Sequence, residues 1–236
     1  MPYKLLNDKK TFANVNSENP TVCFLHGWGR SSQDFNLISQ SFNYINFDLP
    51  GFGKSQEPET SMNPKEYAAY INQFIPNSVD TVVGHSFGGR VAVYLSELRN
   101  IEKLILIGVP LIKQQTSSTK FTILDFYKTL NRLGIFSDNM IENIKKKKGS
   151  YDYRNSKGIM RENLVKAVND DLSHELENIN SDVHLIWGSE DKEVPINIAK
   201  EANKKIKKSN LHILEGQGHN PLNSSYLEIV NIINTQ

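Results

Sequence analysis

The chain has 236 residues, 38% of them hydrophobic, enough for one substantial core and better suited to one domain with an insertion than to two independent domains. Its formal net charge is +1, which gives no bulk attraction to nucleic acid or to a membrane surface, and its one dense basic run, Lys145 to Lys148, has no aromatic platform beside it. A single cysteine, Cys23, excludes an intrachain disulfide and metal sites built from several cysteines; no His-Glu-x-x-His spacing occurs, so neither a metal nor another cofactor is expected.

Lys4, Asp8, Lys9 and Lys10 interrupt the N-terminal stretch, which argues against a secretory signal. The longest apolar run, Leu104 to Ile112, is too short to span a bilayer and contains Gly108 and Pro110. A cytoplasmic protein acting on a small molecule, as a monomer or a homodimer and without nucleic acid or membrane partners, is the resulting expectation.

Tyr3 to Leu6 and Lys10 to Ala13 suit a short hairpin around Asn7-Asp8. Thr21 to Leu25 is a buried strand, introduced by Pro20 and ended by His26-Gly27-Trp28-Gly29, and Cys23 within it reads as a core thiol. The glycines around Trp28 allow its backbone to approach a ligand closely, or simply make a strand-to-helix turn. Gln33 to Ser39 reads as a short helix and Tyr44 to Phe47 as a strand. The Asp48 to Ser55 turn is glycine-rich, but without Walker spacing or a full Gly-x-Gly-x-x-Gly before a helix it reads as structural. Asn63-Pro64-Lys65-Glu66 supplies an N-cap, a proline at the first helical position and a capping-box glutamate for a helix that stops at Pro76.

The apolar run Thr81-Val82-Val83 then leads into Gly84-His85-Ser86-Phe87-Gly88-Gly89 and a helix-like stretch to Arg99. Gly-x-Ser-x-Gly between strand and helix is the setting of a nucleophile elbow, in which a serine hydroxyl projects from the end of a sheet. The N–H of Phe87 would lie at a helix N-terminus, where developing negative charge is favoured. The Trp28 N–H is the candidate second donor of an oxyanion hole.

Ile101 to Ile107 is a further buried strand, and the alternation of strands with helices implies a mostly parallel sheet covered on both faces. The rhythm breaks after Pro110. From 111 to 181 no buried-strand run appears, and Phe121 to Leu133, Asp138 to Lys147 and Met160 to Asp170 read as helices, so this span is a helical insertion over the strand ends. It holds 12 Lys and Arg against 9 acidic residues, or +3, leaving −2 elsewhere. That polarity suits an anionic substrate, with Arg154 and Arg161 as candidate carboxylate partners, although both also suit surface or packing roles.

His184 to Trp187 resumes the sheet and ends in Gly188-Ser189-Glu190-Asp191, with Asp191 on the same edge as Ser86 and Glu190 and Glu193 as rivals. Pro195 suits the start of a helix to about Lys204, and Leu211 to Leu214 makes the last strand. The loop after it carries His219 between Gly218 and a helix start, the histidine best placed to serve as a base; His26 and His85 flank reactive turns, His184 and His212 lie in strands, and His174 lies in the insertion. Serine, acid and histidine thus arrive in the order the elbow requires.

With these residues in hand the chain resembles the α/β-hydrolase superfamily over nearly its whole length, and especially small bacterial carboxylesterases and carbon–carbon bond hydrolases with a helical cap. The motifs are His26-Gly27-Trp28-Gly29, the Asp48 to Ser55 turn, Gly84 to Gly89, Trp187 to Asp191 and Gly218-His219. The resemblance implies an α/β core of residues 1–110 and 182–236 and a cap of 111–181. It also implies Ser86 as nucleophile, His219 as base, Asp191 as its orienter, and Trp28 and Phe87 as backbone oxyanion donors. A serine in the elbow sets aside the aspartate-dependent dehalogenases and epoxide hydrolases of that superfamily. Esterase chemistry is the first expectation; carbon–carbon bond hydrolysis, a non-hydrolytic synthase or lyase using the same triad, and a ligand-sensing module are the alternatives.

Overall fold

The computed structural model describes residues 3–113 and 151–235. The helices expected over Phe121 to Leu133 and Asp138 to Lys147, and the basic run Lys145 to Lys148, lie outside the described residues.

The strands are β1 (Tyr3–Leu5), β2 (Phe12–Val15), β3 (Val22–Leu25), β4 (Tyr44–Asp48), β5 (Thr81–His85), β6 (Lys103–Ile107), β7 (Asp182–Gly188) and β8 (Ser209–Leu214). The helices are α1 (Asn36–Ser39), α2 (Pro64–Asn72), α3 (Phe87–Leu98), α4 (Tyr151–Asn155), α5 (Gly158–Asn169), α6 (Ile196–Lys205) and α7 (Tyr226–Asn234), with single 3₁₀ turns at Ser32–Phe35 and Glu175–Asn178. Among the described residues the sheet runs β1-β2-β4-β3-β5-β6-β7-β8, with β1 and β2 antiparallel to their neighbours and every later pairing parallel.

Burial on both faces explains the unbroken apolar runs. Along β3, Cys23 and Leu25 enter the layer with α2 and α3 residues such as Tyr67, Ile71 and Val91, while Val22 and Phe24 enter the opposite layer with Phe35, Ile229 and Ile232. Cys23 is wholly buried, and that burial pushes its thiol pKa up, away from any reactive thiolate.

The order β4-β3-β5 means the chain leaves β3 toward one edge and returns on its other side, which opens a crevice beyond the carboxyl ends of β3 and β5. The expected capping box at α2 forms in full: Asn63 Oδ1 accepts from the Glu66 N–H at 2.8 Å, and Glu66 returns a bond to the Asn63 N–H at 2.6 Å. The Asp48 turn is structural, because Asp48 spends its carboxylate on the backbone N–H groups of Ser32 and Lys54, each at 2.8 Å. No helix among the described residues is long and apolar enough to cross a membrane.

Residues 151–181 join the core through buried Met160, Ala167, Leu172 and Leu176 and through polar contacts. Asn163 on α5 accepts the Met62 N–H at 2.7 Å and donates to the Tyr67 hydroxyl at 2.9 Å, and all three residues are buried. Asp170 accepts from the Arg90 guanidinium at 2.8 Å through its carbonyl and from the Tyr94 hydroxyl at 3.0 Å through its carboxylate. Met160 lies against Gly51, where a Cβ would fall 2.3 Å from its sulfur and push that side chain aside, and the φ of 87° there favours glycine.

Candidate active site

Ser86 joins β5 to α3 with φ 48° and ψ −113°, a left-handed conformation that a residue bearing a Cβ adopts only at a cost. The flanking glycines serve close approach, not the turn angle itself. A Cβ on Gly84 would meet the Gly89 Cα at 2.5 Å, and one on Gly88 would meet the Leu25 carbonyl oxygen at 2.2 Å. The Ser86 N–H donates to Ile107 at 2.9 Å, which holds the turn to the end of β6.

The other two parts of the row arrive from the ends of β7 and β8. His219 Nε2 lies 3.0 Å from Ser86 Oγ, and Nδ1 lies 2.8 Å from Asp191 Oδ2. Asp191 is held in turn by the N–H groups of Glu193 at 2.9 Å and Val194 at 2.8 Å, both on Oδ1, so a single oxygen is left for the imidazole. Of the rival acids, Glu190 is exposed, while Glu193 stands on the other side of the ring, its Oε2 3.7 Å from Nε2. Gly188 lets the His219 loop pass, because a Cβ there would fall 2.2 Å from the Gln217 carbonyl oxygen.

The electrostatics favour a protonatable base. Burial alone would lower the His219 pKa, but the Asp191 hydrogen bond and charge, with Glu193 and Asp152 adding, raise it above the ordinary histidine value. Asp191 has only 1% of its side chain exposed and His219 13%, so the pair works in a medium where such charges are weakly screened.

Trp28 follows β3 on the same edge, its ring edge-on to Phe87 at 5.1 Å and to Phe52 at 4.9 Å between centroids. Phe87 opens α3, so its N–H is one of the first-turn donors that a helix leaves unpaired. His26 braces the turn before Trp28: its Nδ1–H donates to the Gly27 carbonyl at 2.7 Å and its Nε2 accepts the Leu49 N–H at 3.0 Å.

Residues 24–232 match the model of the alpha/beta hydrolase family. The chain belongs to that family. Among its relatives is the 2-hydroxy-6-oxononadienedioate/2-hydroxy-6-oxononatrienedioate hydrolase 1 of Pseudomonas putida, 25% identical over 243 residues that cover 84% of this chain and 81% of that one. The pimeloyl-[acyl-carrier protein] methyl ester esterase of Pseudoalteromonas atlantica is 33% identical over 141 residues, 54% of this chain and 49% of that one. Among solved structures, the esterase EaEST from Exiguobacterium antarcticum superposes with a TM-score of 0.72 over 99% of both chains at 20% identity, a likeness of fold.

In this alpha/beta hydrolase Ser86 and His219 border two cavities. The larger, of about 770 Å³, is lined by polar groups including Arg30, Glu57, Asn155, Lys157 and Asn220. The smaller, of about 490 Å³, is largely apolar, with Phe87, Ile112, Leu164, Val168, Val194 and Ile198 in its wall. Trp28, Asp152 and Glu193 belong to both. Neither Arg154 nor Arg161 lines either cavity: Arg154 is exposed, and Arg161 donates through Nε to the Ser156 carbonyl at 2.9 Å and lies over the Tyr153 ring. Charge counted over the insertion did not reveal which of its faces meets the site. The residue that sequence reasoning underrated is His85, whose Nε2 lies 2.9 Å from the His219 carbonyl oxygen; no local pattern signals a partner 134 positions away.

Proposed function

We propose that the protein is a serine hydrolase of small carboxylic esters, with Ser86 as nucleophile, His219 as base and then acid, and Asp191 as the group that orients His219. The observation that carries this reading is the continuous row Asp191–His219–Ser86, with bonds of 2.8 and 3.0 Å, opening on a cavity. His219 Nε2 takes the Ser86 proton as Oγ attacks the ester carbonyl, and Asp191 stabilises the imidazolium. The backbone N–H groups of Trp28 and Phe87 receive the oxyanion, a donor pair of which each member is typically worth about 10²–10³ in turnover. Collapse expels the alcohol with the proton from His219, and water, activated by the same nitrogen, releases the acid.

The unlike cavities favour an ester with one apolar and one polar arm, meeting at Ser86. The insertion 111–181 acts in this reading as a cap on the core of 1–110 and 182–236, supplying Asp152, Asn155, Ser156 and Lys157 to the site. A carbon–carbon bond hydrolase of the kind suggested by the Pseudomonas putida relative would meet a dicarboxylate, as the name dienedioate states. The described lining suits that less well: Glu57, Asp152 and Glu193 stand against Lys157 and Arg30, and Arg30 is itself engaged by Asp34 at 2.8 Å. Neutral esters avoid the repulsion.

The test is a time course with p-nitrophenyl acetate and butyrate on wild type and Ser86→Ala, alongside labelling by a fluorophosphonate. Turnover and labelling by wild type alone are expected. An active Ser86→Ala variant overturns the nucleophile assignment, and labelling without ester turnover shifts the reading to a non-ester substrate or a sensing role.

A further inference from the structure

His85 precedes the candidate nucleophile, and its ring sits between two loops that the proposed chemistry needs. The side chain is buried, with 2% of the residue exposed. Its Nε2 lies 2.9 Å from the His219 carbonyl oxygen, and a carbonyl only accepts, so Nε2 carries the hydrogen and the neutral tautomer is fixed. The other nitrogen, Nδ1, then presents a lone pair. Nδ1 is buried and has no hydrogen-bond partner among the described residues. It faces Gly27, where a Cβ would fall 2.9 Å from it, so the ring rests directly on the backbone of the turn that carries Trp28.

That orphaned lone pair is informative. A residue that only filled space here would be apolar, since an unsatisfied buried acceptor carries a desolvation cost. The imidazole leaves half of its hydrogen-bonding capacity unused, and the used half goes to the main chain of His219. The two histidine rings lie 5.1 Å apart between centroids, so the bond acts on the base itself. On the other side of His219, a Cβ on Gly108 would fall 3.2 Å from Nδ1, and the loop has little room to settle elsewhere.

We infer that His85 is a positioning residue: through its Nε2–H bond to the His219 carbonyl and its contact with Gly27 it locks the serine turn, the Trp28 turn and the base into one rigid unit. This inference rests on the serine-hydrolase reading of Ser86 and His219, while its structural half can be read without turnover. Burial, opposed by the His219 carbonyl and assisted by the His219 charge, holds the His85 pKa down at about 4, so the strut stays neutral where the base must titrate.

The variants are His85→Leu, which fills the space and removes the donor, and His85→Gln, whose terminal amide nitrogen reaches as far as Nε2. With p-nitrophenyl butyrate, His85→Leu is expected to lower kcat by roughly 10- to 100-fold, the scale of a small misplacement of a catalytic group, while KM stays within about twofold. His85→Gln is expected to recover most of that loss. Equal kcat in wild type and a folded His85→Leu overturns the inference, as does a folded His85→Gln as slow as His85→Leu. The second readout, independent of catalysis and of whether His85→Leu folds, is the imidazole ¹H–¹⁵N correlation spectrum of wild type. A neutral Nε2–H tautomer for His85 that persists to about pH 5 is expected, and an Nδ1–H tautomer or an ordinary histidine titration overturns it. A wild type that neither labels nor turns over, with the Nε2–H tautomer present, counts against the hydrolase reading and leaves the strut itself standing.

Discussion

Glu193 Oε2 stands 3.7 Å from His219 Nε2, the nitrogen that also faces Ser86, while Asp191 holds the opposite nitrogen at 2.8 Å. Two acids that look interchangeable in Glu190 to Glu193 thus meet different atoms of one ring. Asp191 is buried with its second oxygen bonded to backbone, and fixes the tautomer; Glu193 is 73% exposed at its side chain, and adds charge without order.

Glu193 raises the His219 pKa, after burial, which opposes the rise, and Asp191, which dominates it. In the proposed mechanism His219 works in its neutral form, so kcat/KM is expected to rise with pH through that pKa, with the acid limb above an ordinary histidine. Glu193→Gln removes one charge that favours the imidazolium. The acid limb is expected to move a small way to lower pH, since an exposed carboxylate is well screened. The same shift measured in about 1 M salt should nearly vanish; a variant whose profile overlays wild type at low salt shows that Glu193 does not act on His219.

The φ of 48° at Ser86 makes a prediction about stability that activity cannot hide. Ser86→Ala keeps the Cβ and hence the strain, whereas Ser86→Gly relieves it. Strain of this kind is worth about 1–3 kcal/mol, and the added freedom of glycine in the unfolded chain offsets part of that. Ser86→Gly is therefore expected to be about 1 kcal/mol more stable than Ser86→Ala in urea unfolding, with both inactive. Equal midpoints, or the reverse order, contradict a strained turn.

What could be read in the chain follows from how local each signal is. Ser86, Asp191 and His219 each follow a short apolar run and sit among glycines, so their place at strand ends was visible in a few neighbouring residues. The start of α2 was equally plain, because Asn63, Pro64 and Glu66 carry their capping roles within four positions. Arg154 and Arg161 were different: composition announced a basic insertion, but which helix face meets a cavity depends on packing against distant chain, here Met160 on Gly51 and Asn163 on Tyr67. The bond from His85 to the His219 carbonyl was invisible for the same reason.

Asn163 offers a test of how α5 is held. Its side chain satisfies the buried Met62 N–H at 2.7 Å and the Tyr67 hydroxyl at 2.9 Å, and Tyr67 in turn donates to the Pro50 carbonyl at 3.1 Å. Asn163→Leu keeps the branched shape of the side chain but strands a buried donor, which costs about 1–3 kcal/mol. A loss of about 2 kcal/mol in unfolding free energy is expected, together with a raised KM, because α5 carries Met160 into the larger cavity. Unchanged KM with the full stability loss would show that the helix stays in place without this bond.

The buried imidazole of His85 makes the folded chain sensitive to acid. In the unfolded chain a histidine takes up its proton near its ordinary value of about 6.5. In the folded protein burial holds the His85 pKa at about 4, despite the opposing bond to the His219 carbonyl. Between these values the unfolded state binds more protons than the folded one, so stability is fully present above about 6.5 and is lost as pH falls toward 4. His26, lowered chiefly by burial, acts in the same direction and steepens the wild-type curve. The contribution of His85 is isolated by comparing wild type with His85→Gln, which has no proton to gain. From about pH 7 to about pH 5 wild type is expected to lose roughly 2 kcal/mol more than the variant in urea unfolding. Parallel pH dependences for the two proteins would mean that His85 titrates alike in the folded and unfolded chains, in conflict with a buried ring packed on Gly27 and bonded to the His219 carbonyl.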